Sequence, residues 1–199
     1  MSDSFPEGDN MPLLRTILGA ILLMAAALPV FAADDILDAI DQARKAYQSG
    51  DMAAAKQSLD MASQLVGQKN AEAFAALLPA ALPGWKAEKV ETASVGVAMF
   101  GASSASRRYT GPDGHDVQVR ITGDSAMVMQ FAQVFMNPSI AGAMGKLIRV
   151  GDQRAIQTNE GSVNMVVANK FLVTIDGSAS AETKLAYAQA IDIAKLSKM

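Results

Sequence analysis

The chain has no cysteine. That one absence removes disulfides, thiolate metal ligands and a cysteine nucleophile together, and it removes the acylated cysteine of a lipoprotein. Small exported domains often rely on disulfides, so a fold here has to rest on its core alone. Histidine is almost as scarce, His115 being the only one. A lone imidazole without thiols cannot assemble the usual zinc sites. A serine triad would have to use it, and the nearest match to a nucleophile elbow is Ser103 in "GASSA". That stretch lacks the closing glycine of G-x-S-x-G. The chain also lacks H-E-x-x-H, the phosphate-cradling G-x-x-x-x-G-K-[ST] and the dinucleotide-binding G-x-G-x-x-G. No catalytic residue, metal ligand or cofactor is assigned, and an enzyme is not expected. A carboxylate pair in a cleft is the one catalytic arrangement that sequence cannot address, because it does not show which acids meet.

An excess of either charge is missing too. Seventeen Lys and Arg face twenty Asp and Glu, and residues 1–32 account for one base and three acids of these. From residue 33 onward the net charge is therefore near −1. Nucleic-acid binders carry a basic face, and anionic lipid draws polybasic segments. Neither footprint is present, so nucleic acid is not expected as a partner.

No apolar run reaches the roughly 20 residues of a membrane span. The longest, "ILGAILLMAAALPVF", covers 15 residues from Ile17 to Phe31. Arg15 precedes it, Pro29 ends it, and Val30-Phe31-Ala32 offers a small-residue cleavage site. Basic start, apolar middle and small-residue end make a secretory signal peptide over residues 1–32. The first ten residues carry Asp3, Glu7 and Asp9 without a base, whereas Met11 opens a better export start. Translation is therefore expected to begin at Met11, and the mature chain at Ala33. The expectation is a soluble periplasmic protein without a stable membrane anchor.

Residues 33–80 read as helical. Ile36, Leu37, Ile40, Ala43 and Tyr47 recur at helical spacing, and so do Ala55, Leu59, Ala62 and Val66. Gly50 is placed to end the first helix and Asp51 to cap the second. Asp34, Asp35, Asp38 and Asp41 crowd the first helix's N-terminal half, where they complement its dipole. "AYQSGDMAAAKQSLDMASQL" resembles a single tetratricopeptide hairpin, although such arrays need about three repeats. Antiparallel packing through small residues produces the same pattern. Asn70 to Leu78 reads as a further short helix, stopped by Pro79.

"ALPGW" is a turn that opens the second region, residues 81–199. "WKAEKVE" is read as its first strand, and residues 93–105 as a mobile loop of small residues around Met99 and Phe100. "SRRYT" and "HDVQVRIT" flank "GPDG" as a hairpin, with Val117, Val119 and Ile121 on one face. Arg107 and Tyr109 share a face of their strand and Arg108 points oppositely. Either arginine could grip an anion, while Asp116 could balance them on a solvated face. "KLIRV", "RAIQT", "SVNMVVA" and "FLVTID" supply further strands, with a tight turn at Asn169-Lys170. Ser180 to Leu196 reads as one Ser-capped helix with Leu185, Ala188 and Ile191 inward. Helices, strands, helix, strands, helix imply an α+β fold: an antiparallel sheet with packed helices, preceded by a helical hairpin. "LPGW", "SASRRYTGPDG", "ITGDS" and "NKFLVTIDGSAS…AIDIAKL" resemble a family of uncharacterised exported bacterial proteins over residues 82–196. The layout is similar to the Mog1/PsbP-like fold. The resemblance carries no activity and no site residue.

"MVMQFAQVFM", residues 127–136, is the most unusual stretch. As a helix it shows one narrow polar stripe of Gln130, Gln133 and Asn137, capped by Asp124 or Ser125 and ended by Asn137-Pro138. Three accounts of its apolar surface are open. The N-terminal hairpin covers it; it lines a pocket for a small apolar ligand under the 93–105 loop; or it is a face for an unknown protein partner or a second copy. Met99, Phe100, Met127, Phe131, Phe135 and Met136 are the candidate binding residues. Thioethers can also hold Cu(I), but methionine serves more often as a flexible core filler. The expected function is that of a non-catalytic binding or accessory protein, with a lipid-like small-molecule carrier as the alternative and a hydrolase behind both.

Overall fold

The computed structural model describes residues 34–94, 102–123 and 126–199. Two helices come first, α1 (Asp35–Gln48) and α2 (Met52–Ala75). The Asp34 carboxylate accepts from the Ile36 and Leu37 amides, and Asp51 accepts from Ala54 N–H at 2.9 Å. These side chains satisfy donors that a helix start leaves free. Ala39 and Ala43 of α1 are buried, as are Ala55 and Ala62 of α2. Small residues on the facing stripes let the two helices approach closely. The helical stretch expected over Asn70 to Leu78 is the end of α2, which runs unbroken from Met52 and stops at Ala75. No residue between 66 and 70 is a proline, so nothing there removes a helical hydrogen bond.

Eight strands form one antiparallel sheet: β1 (Lys86–Ala87), β2 (Glu91–Ser94), β3 (Ser103–Thr110), β4 (Asp116–Gly123), β5 (Lys146–Val150), β6 (Gln153–Gln157), β7 (Val163–Val167) and β8 (Phe171–Asp176). The spatial order is β1-β3-β4-β8-β7-β6-β5, with β2 also lying on β3. The fold is α+β, with the helical pair ahead of the sheet. Three sequence expectations are corrected here. "WKAEKVE" is not one strand but two short pieces, β1 and β2, on the same edge of β3. Ser103 to Ala105 belong to β3 rather than to a loop. The last turn falls one residue early, with positive φ at Ala168 (51°) and Asn169 (55°).

The first strands run as a meander to β4. The chain then crosses through α3 (Ala126–Met136) and α4 (Pro138–Met144) to the far edge, and β5 to β8 return until β8 lies beside β4. Proline at 138 does not simply stop a helix. Asn137 caps α4 by accepting from Ser139 and Ile140, and Pro138 takes the first turn, where a missing N–H costs nothing. The single final helix expected over Ser180–Leu196 is two, α5 (Ala181–Gln189) and α6 (Ile193–Leu196). Asp192 caps the second by accepting from Lys195 N–H at 2.9 Å.

Alternation along the strands divides the residues between two layers. One face carries Ala105, Tyr109, Val117, Val119, Ile121, Val163, Met165, Val173 and Ile175, all buried. The end of α2, with Phe74, covers it beside Tyr187, Ala188 and Leu196 from α5 and α6. The opposite face is polar where it is open, with Arg108, Gln118, Arg120 and Thr174. Ile156 and Leu172 also point that way, yet they are buried. Their cover is the α3–α4 pair, which approaches β7 and β8 with α3 and β5 and β6 with α4. Val128 and Ala141 are its buried residues.

This arrangement overturns one account of the apolar helix. The N-terminal hairpin does not lie over α3. Phe74 of α2 packs edge-on against Phe171, on the core face, and α3 serves the other face. The sheet stands between them.

Candidate functional site

The six candidate binding residues are not all accounted for in one place. Met99 and Phe100 lie outside the described residues, and so do the side chains of Met127 and Met136. Phe131 and Phe135 are half-buried on α3. Gln130, Gln133 and Asn137 are exposed as one polar edge, and Met129 beside them is 69% exposed. Of the other methionines, Met165 sits wholly inside the core.

Phe135 opens onto a recess of about 420 Å³ between the end of α3 and the β5–β6 hairpin. Among the described residues its walls are Phe135, Leu147, Ile148, Arg149, Asp152 and Arg154. Leu147 is 48% exposed, an apolar side chain at the sheet edge with its outer side uncovered. The volume falls within the few hundred to a thousand Å³ common for small-molecule sites.

The arginines are brought together by a two-residue turn. Val150 pairs with Gln153, so Gly151 and Asp152 make the turn, and Gly151 takes a φ of +56°. A type II′ hairpin turn needs that conformation at its first central position, and glycine adopts it freely. The register then sets Arg149 directly opposite Arg154 on the face that α3 and α4 cover. Neither arginine makes an ion pair or a side-chain hydrogen bond among the described residues. Asp152 lines the same recess outside ion-pair distance of both. These two arginines carry no signal in periodicity or motif. The clue that would have exposed them is the equal spacing of the two arginines on either side of the Gly-Asp turn in "RVGDQR".

The residues weighed for catalysis lie apart. His115 is exposed beside the β3–β4 turn, and Ser103 is buried at the start of β3. Arg108 donates to Asp116 Oδ2 at 2.8 Å, while the Ser178 hydroxyl donates to Oδ1 at 2.6 Å. The hydrogen bond from Ser178, reinforced by the Arg108 charge, holds the Asp116 carboxyl below its usual range. In return the Asp116 N–H donates to Ser178 Oγ at 3.0 Å. This closed exchange fastens the start of β4 to the turn after β8. Arg107 turns its Nε to the Glu88 carbonyl at 2.9 Å and so holds the segment between β1 and β2. Among the described residues no three acids or imidazoles converge as a metal site would require.

A second surface stands out on the hairpin. Leu37, Ile40 and Tyr47 of α1 and Met52, Leu59 and Val66 of α2 are 43–65% exposed. Helical spacing puts them on one side of the pair. A shallow groove with Asp38, Gln42, Gln57 and Met61 runs along the other side. Comparison with protein-family models, with curated proteins and with solved structures returned no match for the chain.

Proposed function

We propose that this chain is an exported, non-catalytic binding protein that works at the end of α3. One observation carries the reading: an apolar wall of Phe135 and Leu147 opens to the surface beside two arginines that have no ion-pair partner among the described residues. Core packing leaves neither feature in place. Phe135 is only half-buried, with its open side in the recess, and Arg149 and Arg154 stand exposed to solvent with no acid paired to either among the described residues. The periplasm is the proposed location on the leader pattern of residues 1–32. No helix among the described residues is long and apolar enough to cross a membrane.

The occupant this geometry favours is a small molecule with an apolar part. A recess of this volume, with Phe135, Leu147 and Ile148 in its wall, suits such a ligand. Native mass spectrometry on protein exported by its own leader tests it. The expected result is an excess mass of a few hundred daltons, about the size of such ligands, that disappears on denaturation and is absent from Phe135→Asp. A bare chain mass, together with no binding of any amphipathic probe, would end the reading.

A second reading has its own observation. The six exposed apolar side chains on one side of α1 and α2 form a surface of the kind that protein interfaces use. It makes the chain an accessory protein that docks a protein partner or a second copy through its hairpin. In the same spectrum this reading predicts a concentration-dependent complex that Leu59→Asp abolishes and Phe135→Asp does not.

A further inference from the structure

We propose that the recess at the end of α3 binds an amphipathic anion with one charged head: Arg149 and Arg154 hold a single carboxylate or phosphate head, while Phe135 and Leu147 cover the apolar body. The inference rests on the binding reading above and adds the chemistry of the ligand.

The argument begins with a cost. Residues directly opposite on antiparallel strands have Cβ atoms about 4.5–5.5 Å apart, and like charges there repel. The β5–β6 hairpin accepts that repulsion at Arg149 and Arg154. Edge protection accounts for only half of it. β5 ends the sheet, and a charge on an edge strand discourages further pairing. Arg154 is on β6, an inner strand that pairs β5 on one side and, from Ala155 on, β7 on the other, so its charge does not sit on the edge strand.

An oxyanion removes the repulsion. Each guanidinium presents parallel N–H donors that match a carboxylate or phosphate. Two of them side by side can share one head, whose negative charge between them offsets their repulsion. The surroundings then choose the rest of the ligand. Phe135 and Leu147 offer an apolar wall, so a bare inorganic ion leaves it wet. Asp152 at the turn repels a second negative group, so the ligand carries one charged head. The head holds the ligand at the β5–β6 hairpin, and the apolar body lies toward α3.

The test uses protein exported and processed by its own host, titrated by calorimetry with four probes. Decanoate and decyl phosphate supply the head and the chain, decanol the chain alone, and inorganic phosphate the head alone. The expected order puts decanoate or decyl phosphate at least about tenfold tighter than decanol and inorganic phosphate, the loss of a charge-assisted hydrogen bond. Whichever of the two wins identifies the head. Arg149→Gln/Arg154→Gln should lose about tenfold or more for the anionic probes and leave decanol unchanged. Its Tm should match or exceed that of the parent, because a like-charge pair has gone. Arg120→Gln, on the open part of the same face, should change nothing. The outcomes separate the claims. If decanol binds as well as decanoate and the double variant is indifferent, the anion proposal fails and the apolar recess stands. If no probe binds, the recess reading fails with it. An equal loss in Arg120→Gln would make the attraction a general surface field and would also overturn the proposal.

Discussion

The rings of Tyr109 and Tyr187 lie 4.5 Å apart, tilted by 36°, and both hydroxyls hold the same segment of chain. Tyr109 donates to the Pro79 carbonyl at 2.6 Å, and Tyr187 Oη accepts from the Leu82 N–H at 3.3 Å. Trp85 completes the cluster edge-on to Tyr187 at 5.6 Å. The "LPGW" turn is thereby fastened across the sheet to α5, and α2 is led onto the core face.

Removing one hydroxyl tests that fastening. Tyr109→Phe leaves the Pro79 carbonyl without its partner in a buried place, and should cost about 1–2 kcal/mol in denaturant unfolding. A loss within error would show that water or another group takes over the bond.

The same tyrosine sets an alkaline limit. Burial pushes the Tyr109 hydroxyl from 10.0 up to about 12, against the opposing pull of Arg107. A raised folded value means that the folded state keeps its proton longer. The contribution is complete below pH 10 and is lost as pH rises through about 12. Parent protein should show cooperative unfolding coupled to phenolate absorbance in that window, and Tyr109→Phe should lack this component.

Asp116 sets the opposite limit. Its folded value is depressed by the hydrogen bond from Ser178 and by Arg108, so its contribution holds above the ordinary carboxylate value and fades as pH falls through the depressed one. Ser178→Ala and Asp116→Asn should each weaken the protein at neutral pH. Asp116→Asn should also flatten the acid limb of a stability–pH curve, measured by urea midpoints.

Gly123 is a packing constraint. A Cβ there would stand 2.7 Å from Phe74 Cζ and 2.9 Å from Phe171 Cδ1. Gly123→Ala should therefore cost about 1–3 kcal/mol by overpacking. Adding Phe74→Leu should recover part of it, and purely additive losses would refute the clash.

Ala168 should respond in the other direction. It holds a φ of 51°, a conformation that costs an L-residue roughly 1–2 kcal/mol. Ala168→Gly removes the steric penalty but makes the unfolded chain freer. The net expected gain is about 0.5–1 kcal/mol, read as a higher unfolding midpoint.

Local chemistry was legible in the sequence. Asp51 and Ser180 cap as their side chains dictate, and Val117, Val119 and Ile121 alternate inward. The misreadings share a cause, since polar and breaker residues have two uses. Pro138 reads as a stop, yet Asn137 makes it a start, and Asp192 restarts a helix inside a pattern that reads as continuous. The layer that each element joins depends on pairings between distant strands. Alternation says that Ile156 and Leu172 share a face but not that α3 and α4 come to cover it. The recess was invisible for the same reason, because α3 and the β5–β6 turn meet only once the crossover is made.

That crossover has a consequence for the order of events. The strand at the middle of the sheet, β8, is the last of its strands to be synthesised, and its partner β4 lies 48 to 58 residues earlier, from Gly123 with Phe171 to Gln118 with Asp176. Until Asp176 is available, the early meander has an open flank and the late one has no neighbour to join. Such non-local closure is slow. It also means that a growing chain cannot close this sheet before β8 has been made.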